Sequence, residues 1–220
     1  AVSIKVAVLD DHEFICRAIS ALGRDYPELE VVYTSTYPEE FQAWCLENHP
    51  DVAMVDLMLH GQLAGHETIR VLSQAGISCL AFTADHRRVP ISMAMRAGAR
   101  GLALKDESPD KHFETLREIH ETGWSPSSAM AAALIEDAAE LPALSAHELR
   151  CLRLASEGVP IKAIGRQFNP IISLSTVKTY LARAYEKYAA VGRPVGNTTA
   201  AATQTWEDGW FDLDGTTEPH

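Results

Sequence analysis

Four short apolar runs, each closed by a polar residue, constrain the fold of this chain more than any other feature. Uninterrupted apolar runs of this length predict strands that are buried on both faces, as in a parallel sheet covered by helices. Helix-like stretches separate the runs, so the N-terminal part of the chain is predicted to be α/β. The runs are residues 6–9, closed by Asp10 and Asp11, residues 52–55, closed by Asp56, residues 80–82, closed by Thr83, and residues 102–104, closed by Lys105.

The residues that close the runs predict a common site. In a parallel sheet, ligands bind beyond the carboxyl ends of the strands, which meet at one edge. Asp10, Asp11 and Asp56 would bring three carboxylates to that edge, and clustered carboxylates suit Mg²⁺. Asp56 could act as a nucleophile that forms an acyl phosphate, while Thr83 and Lys105 bind the phosphoryl oxygens. The sequence therefore predicts a site for a divalent cation and a phosphoryl group.

These stretches resemble the receiver domain of bacterial two-component response regulators. The resemblance implies a doubly wound, five-stranded parallel sheet of the flavodoxin type. It also implies that Asp10, Asp11, Asp56 and the backbone carbonyl of Met58 bind Mg²⁺. Asp56 would accept phosphate from a histidine kinase or a small phosphodonor. The matching stretches are residues 8–12 (VLDDH), 55–56 (VD), 82–84 (FTA) and 97–106 (AGARGLALKD).

Composition and cysteine usage indicate a cytoplasmic protein. Apolar residues make up 46% of the chain and charged residues 22%, which is ordinary for a soluble protein. No apolar stretch approaches the roughly 18 residues of a spanning helix, and no secretory signal pattern opens the chain. The cysteines lie far apart without a C-x-x-C pair, which is more typical of core residues than of a zinc site or disulfides. They are Cys16, Cys45, Cys79 and Cys151.

Charge is segregated along the chain. Residues 1–125 carry 11 Lys and Arg against 19 Asp and Glu, whereas residues 142–193 carry 8 against 3. Residues 194–220 contain five acidic residues and no basic one. A basic module within a chain of net charge −11 predicts an anionic partner for that module alone.

The basic module has the pattern of an all-helical domain. Ser145 and Glu148 predict a capping box at the start of a first helix. Residues 161–168 predict a short second helix, and a third helix is expected from residue 174 to about residue 190. A short helix, a turn and a longer basic helix are typical of a helix-turn-helix domain. A small helical bundle with a solvated basic face is the alternative.

The module resembles the LuxR-type helix-turn-helix, above all over residues 175–181 (STVKTYL). A receiver followed by this module is the NarL/FixJ class of response regulator, and the resemblance covers residues 4–193. It implies a homodimer that binds double-stranded DNA through the third helix, because long cations reach phosphates and guanine edges. The residues expected to contact DNA are Lys162, Arg166, Thr176, Lys178, Thr179, Tyr180, Arg183 and Lys187.

The predicted organisation has four parts. Residues 1–123 form the receiver domain, residues 124–142 a linker with an Ala-rich helix, residues 143–193 the helix-turn-helix domain and residues 194–220 a flexible acidic tail. A second hypothesis for the tail is that its aromatic residues dock on an apolar patch while its acidic residues compete with DNA. The aromatic residues concerned are Trp206, Trp210 and Phe211.

Four features depart from the pattern of this class. The segment after Asp56 lacks the usual Met-Pro pair and is one residue longer. Leu102 stands where an aromatic residue is common, three positions before the lysine. The turn over residues 169–172 is two residues longer, and Tyr180 stands where a His is usual. The residues required for phosphorylation are all present, but the residues that are expected to respond to phosphorylation are altered.

Two functions therefore stay open. In the first, phosphorylation of Asp56 controls a DNA-binding transcriptional regulator. In the second, an atypical orphan regulator has a receiver that is not phosphorylated and serves as a dimerisation or ligand-sensing module. An aspartate-based phosphatase would need a second carboxylate two residues after its nucleophile. Met58 and His12 occupy those positions after Asp56 and Asp10, so the chain is not expected to be an enzyme.

Overall fold

The computed structural model describes residues 3–127, 129–131 and 141–211. These residues form an N-terminal unit up to residue 131 and a C-terminal unit from residue 141. Residues 129–131 are helical, and the rest of the predicted linker helix lies outside the described residues. None of the helices in the two units combines the length and the apolar character that crossing a bilayer requires.

The N-terminal unit alternates strands and helices, as the apolar runs predict. Its strands are β1 (Ile4–Leu9), β2 (Leu29–Ser35), β3 (Val52–Asp56), β4 (Met58–Leu59), β5 (Gln62–Leu63), β6 (Ser78–Thr83) and β7 (Gly101–Leu104). Its helices are α1 (Glu13–Leu22), α2 (Pro38–Asn48), α3 (Gly65–Gln74), α4 (Arg88–Ala97) and α5 (Pro109–Thr122). Five strands form one parallel sheet in the order β2-β1-β3-β6-β7, while β4 and β5 form a separate antiparallel hairpin. The predicted doubly wound sheet is confirmed.

Both faces of the sheet are covered by helices. On one face, side chains of α2, α3 and α4, such as Phe41, Ile69 and Ile91, pack on alternate strand residues. On the other face, Leu116 and Ile119 of α5 and the partly buried residues of α1 pack on the remaining strand residues. Helices shield both faces from water, so the central strand β3 is buried along its whole length. A strand buried on both faces has apolar residues at consecutive positions, which explains the continuous apolar runs in the sequence.

The C-terminal unit is helical. Its helices are α6 (Ala146–Ser156), α7 (Ile161–Ile164), α8 (Leu174–Ala190) and α9 (Thr198–Asp208). The predicted capping box at the start of α6 is present, because Ser145 Oγ accepts from the N–H of Glu148 and the Glu148 carboxylate accepts from the N–H of Ser145. The second helix is shorter than predicted and continues as a 3₁₀ turn over Gly165–Gln167.

The prediction of a flexible tail is wrong for residues 198–211. Asn197 caps α9 by accepting a hydrogen bond from the N–H of Ala200 at 2.8 Å, and the Ala-rich sequence that follows favours a helix. Ala201 and Phe211 belong to the same buried cluster as Leu152 and Val177. The hypothesis that the aromatic residues of this segment dock on an apolar surface fits the structure for Phe211 and for the partly buried Trp210.

A buried polar network fixes α9 against the end of α8. The Tyr188 hydroxyl lies 2.8 Å from Thr205 Oγ1 and donates to Asp208 Oδ2 at 3.3 Å. Arg193 Nη2 donates to Asp208 Oδ1 at 2.6 Å. Asp208 is therefore turned into the domain, where it neutralises Arg193 and cannot compete with DNA as the acidic-tail hypothesis requires.

We predict that Asp208→Asn destabilises the C-terminal unit by about 1–3 kcal/mol, because it removes the charged partner of Arg193 and weakens the acceptor of Tyr188. Native-state hydrogen exchange of α8 and α9 in the full-length chain measures this loss. Glu207→Gln, which removes an exposed charge from the same helix, is the matched control and should change stability by less than about 0.5 kcal/mol. Equal effects of the two variants would contradict the network.

Candidate functional site

The sheet brings the predicted site residues to one edge. Asp10 follows β1, Asp56 ends β3, Thr83 ends β6 and Lys105 follows β7. Asp10, Asp56 and Thr83 are almost fully buried, with 0%, 2% and 0% of their surface exposed. Their polar groups have almost no access to bulk water, so interactions within this pocket control the charge of the two carboxyl groups.

The Lys105 ammonium joins two buried carboxylates. Its Nζ lies 2.6 Å from Asp10 Oδ2 and 2.8 Å from Asp56 Oδ2. The same Nζ lies 5.3 Å from the centre of the Phe82 ring, and His112 meets that ring edge-on. The ammonium is therefore held between acidic groups on one side and an aromatic face on the other.

Burial raises the pKa of Asp56 to about 7. The charge of Lys105 opposes this rise, whereas the neighbouring Asp10 carboxylate adds to it. For Lys105, burial lowers the pKa, but the two carboxylates outweigh burial and the net effect is a raised pKa. The pocket thus holds a permanent cation beside an aspartate that is not fully ionised at neutral pH.

The donor set of the pocket fits a hard divalent cation. Ligand atoms of Asp10, Asp11, His12 and Asp56 all lie within 4.8 Å of one another. Carboxylate oxygens are the ligands that Mg²⁺ prefers, and a cation would relieve the repulsion between the two buried acids. His12, which the sequence analysis did not assign to the site, places Nδ1 at 2.8 Å from Asp11 Oδ1 and 3.1 Å from Asp10 Oδ1. Only the spacing Asp-Asp-His could have indicated it.

The unusual segment after Asp56 forms the hairpin β4–β5. His60 and Gly61 make its two-residue turn with φ angles of 51° and 72°, which matches a type I′ hairpin turn. The N–H of His60 donates to Asp11 Oδ2 at 2.8 Å, so the hairpin is attached to the acidic pocket. Met58, the expected carbonyl ligand, lies in β4 and its N–H donates to Asp56 Oδ1 at 3.2 Å.

Glycine is required where the hairpin leads into α3. A Cβ atom on Gly65 would lie 1.9 Å from the carbonyl oxygen of Asp56. The N–H of Gly65 also donates a hydrogen bond to the carbonyl of Leu57 at 3.1 Å. This close approach fixes the backbone that carries the Asp56 side chain.

The loop after Thr83 is closed by an ion pair. Thr83 Oγ1 accepts from the N–H of Asp85 at 3.0 Å, and Asp85 binds Arg87 through Nε–Oδ1 and Nη2–Oδ2 contacts of 2.8 and 2.5 Å. Leu102, at the position where an aromatic residue is common, is 3% exposed and belongs to the core. The aromatic ring closest in sequence to Thr83 is that of Phe82.

In the C-terminal unit, four of the cations predicted to contact DNA are exposed. Lys178, Thr179 and Arg183 are exposed on α8, and Lys162 and Arg166 are exposed on the segment that precedes it. Within the described chain, the four cations of this set make no ion pair. Such a surface is available to an anionic partner.

Three other predicted contact residues are engaged within the unit. Lys187 Nζ lies 2.7 Å from the buried Glu148 carboxylate, an ion pair that joins α8 to α6. Thr176 Oγ1 lies 2.9 Å from Ser173 Oγ, next to the helix cap. The Tyr180 ring stacks on His147 with ring centres 5.3 Å apart. The structure thus separates the exposed cations from residues that hold the helices together.

Comparisons with known proteins agree with this architecture. Residues 6–117 match the model of the response regulator receiver domain. The chain is 30% identical over 189 residues to the nitrate/nitrite response regulator protein homolog of Haemophilus influenzae, covering 84% of this chain and 89% of that protein. It is 25% identical over 209 residues to the transcriptional regulatory protein DesR of Bacillus subtilis, covering 94% of this chain and 99% of DesR.

A solved structure extends the similarity over both units. The response regulator ChrA of a heme-sensing two-component system is 26% identical to this chain, with a TM-score of 0.51, and the match covers 94% of this chain and 98% of ChrA. The chain belongs to the response regulator family, in the NarL/FixJ class.

The raised pKa of Asp56 predicts how stability depends on pH. Between its unfolded value of 3.8 and its folded value of about 7, this group binds more protons in the folded chain, so stability falls as pH rises through that interval. We predict that Asp56→Asn removes this fall and is more stable than the wild type at pH 8, by up to about 4 kcal/mol. The two proteins should converge near pH 4.

Denaturant unfolding of full-length protein at several pH values measures this difference. Asp25→Asn, which removes an exposed carboxylate from the same unit, is the control and should follow the wild type at every pH. Added Mg²⁺ should stabilise the wild type more than Asp56→Asn, since the cation favours the ionised carboxylate. A wild-type stability that does not change between pH 4 and pH 8 would contradict the raised pKa.

Proposed function

We propose that this response regulator is a DNA-binding transcriptional regulator that is controlled by phosphorylation of Asp56, with Mg²⁺ as cofactor. The phosphoryl group comes from a histidine kinase or a small phosphodonor, and the target is double-stranded DNA bound by a homodimer. Residues 1–123 act as the receiver, and the DNA-binding domain runs from residue 143 through α9 instead of ending at residue 193. One observation carries the proposal: Lys105 bridges Asp10 and Asp56 in a pocket that also contains Asp11 and Thr83.

The geometry suits nucleophilic attack by Asp56 on phosphorus. A bond forms between the carboxylate and phosphorus, the bond from phosphorus to the donor breaks, and its electron pair leaves with the donor. Lys105 stays within reach of the new phosphoryl oxygens and compensates their charge, while Thr83 can donate its hydroxyl proton to them. When bound, Mg²⁺ neutralises charge on the carboxylates and on the phosphoryl group.

The phosphoryl group would change the contacts of the pocket. Lys105 now shares its charge between Asp10 and Asp56, and Thr83 Oγ1 accepts from the N–H of Asp85. Both residues gain new anionic acceptors when Asp56 is phosphorylated. A local change of charge of this kind shifts the population of receiver conformations, and the homodimer and its DNA affinity follow that population.

An unphosphorylated receiver is the second candidate. The observation in its favour is the bond from His60 N–H to Asp11, which ties an atypical hairpin to the cation site. In this case the pocket is a structural ion-pair cluster and the receiver serves as a dimerisation or ligand-sensing module. The experiment below separates the two candidates.

We predict that full-length protein incubated with Mg²⁺ and acetyl phosphate gains the mass of one phosphoryl group. The adduct should be lost in Asp56→Asn and should be retained in Asp51→Asn, which changes a carboxylate before the same strand. Mass spectrometry of the intact protein detects it. Absence of an adduct in the wild type, with a phosphodonor and with Mg²⁺ at millimolar concentration, would favour the unphosphorylated receiver.

In the proposed complex with DNA, Lys178 and Thr179 lie in the major groove, and Arg183, Lys162 and Arg166 contact phosphates of the backbone. Lys178→Ala should weaken binding to a selected duplex by about 1–3 kcal/mol if the lysine contacts a base, with relaxed preference at that position. If it contacts a phosphate, the loss should be uniform across sequences and the salt slope should fall by about one.

Binding titrations at several salt concentrations measure this effect. Lys111→Ala removes an exposed lysine from the N-terminal unit and is the control. Lys187→Ala should differ from Lys178→Ala and Lys111→Ala in its effect on stability. It leaves the buried Glu148 carboxylate without its partner and so lowers the stability of the C-terminal unit. Equal affinities of Lys178→Ala and wild type for every duplex would exclude Lys178 from the interface.

A further inference from the structure

Four side chains form a stacked column on the C-terminal unit. The rings of Tyr180 and His147 lie 5.3 Å apart and 13° from parallel, and those of His147 and Phe168 lie 6.0 Å apart and 15° from parallel. The Arg150 guanidinium lies 4.8 Å from the centre of the Phe168 ring, and its Nη2 donates to the carbonyl of Gln167 at 2.5 Å. The column therefore connects α6, the turn before α8, and α8 itself.

Tyr180 occupies a flank of α8. Its neighbours Lys178 and Thr179 are exposed and Leu181 is buried, whereas Tyr180 is half-buried at the boundary between the two faces. Among the described residues, Tyr180 stacks on no ring other than that of His147, and its hydroxyl has no hydrogen-bond partner. Tyr180 also stands where this class usually has a His.

We infer that His147 is a positioning residue for DNA binding, which holds Tyr180 so that the Tyr180 hydroxyl donates a hydrogen bond to a backbone phosphate of DNA. The inference rests on the proposed DNA-binding function. A phosphate is the expected acceptor because Tyr180 is half-buried at the edge of the exposed face of α8, whereas Thr179 lies near the centre of that face. Tyrosine hydroxyls are common phosphate contacts, and these fix how a protein is oriented on the duplex.

The base of the stack is rigid. His147 lies between Ser145 and Glu148, the two residues of the capping box that fixes the start of α6. Glu148 is also paired with Lys187, so the start of α6 is tied to α8 itself. Phe168, which also stacks on the imidazole, is 6% exposed and belongs to the core. The backbone that carries the exposed His147 ring is therefore fixed before any ligand binds, and stacking on Phe168 positions the ring.

A fixed His147 ring limits the conformations open to Tyr180. A free tyrosine side chain loses rotamer entropy when a ligand immobilises it, which weakens binding. Stacking restricts the ring in advance, so less entropy is lost on binding DNA. His147 thus affects affinity without contacting DNA, and only as long as the Tyr180 hydroxyl is present to make its bond.

A double-mutant cycle tests this dependence. The probe is a duplex selected from a random-sequence library by phosphorylated full-length wild type, compared with an unselected duplex of the same length. Tyr180→Phe, which keeps the stack and removes the hydroxyl, should weaken binding to both duplexes by about tenfold. His147→Ala should weaken it by about two- to tenfold, but by less than about twofold when Tyr180→Phe is already present.

Two further variants separate positioning from general stability. His147→Phe keeps an aromatic ring at this position and should restore most of the affinity that His147→Ala loses. Tyr185→Phe, on the same helix, removes a hydroxyl that is bonded to Thr198 Oγ1 at 2.6 Å and should leave DNA affinity unchanged. The salt slope should stay that of the wild type in Tyr180→Phe, because tyrosine carries no charge.

Several outcomes would overturn the inference. Additive losses for His147→Ala and Tyr180→Phe would show that His147 acts independently of the hydroxyl. A changed base preference in Tyr180→Phe would assign the hydroxyl to a base instead of a phosphate. Variants that bind like wild type would remove both residues from recognition while leaving the proposed function intact. A wild type that binds neither duplex would contradict the proposed DNA binding itself.

Discussion

The contacts of Lys105 with Asp10 and Asp56 organise the functional pocket of the N-terminal unit. They place one cation between two acids that are almost completely removed from water, so charged groups from three strands meet at a single point. Each charge in such a pocket has few alternative partners, so adding or removing one charge changes the interactions of the others. The pocket is therefore sensitive to the binding of a phosphoryl group or a divalent cation, because either one would change the contacts between its charged groups.

Much of this site could be predicted from the sequence because the sheet requires it. Once residues 52–55 are a strand buried on both faces, Asp56 must lie at the edge of the sheet, and the same argument places Asp10, Thr83 and Lys105 beside it. The hairpin β4–β5 could not be predicted in the same way. Its strands have two residues each, and its bond to Asp11 depends on the φ angles of His60 and Gly61.

The helices of the C-terminal unit also differ in how far they could be predicted from the sequence. Helix α8 could be predicted with its bounds, because Ser173 caps it and apolar residues follow at helical spacing. Helix α9 was missed because Thr, Ala and Gln offer little apolar periodicity, and its acidic neighbours resemble a disordered tail. Its stability comes from contacts that are distant in sequence, such as Asp208 with Arg193 and Thr205 with Tyr188. The formation of α9 is thus determined by tertiary packing and not by local composition.

A count of charges indicates an anionic partner for the C-terminal unit, but it does not say which cations bind it. Lys187 and Arg193 contribute to the net charge of residues 142–193, yet each is paired with a buried carboxylate, that of Glu148 or Asp208. These pairs hold α8 against α6 and the segment that follows α8 against α9. Lys178 and Arg183 project from the same helix without such partners in the described chain. One set of cations therefore fixes α8 within the unit, and that rigidity would hold the other set in the fixed arrangement that the proposed DNA contact requires.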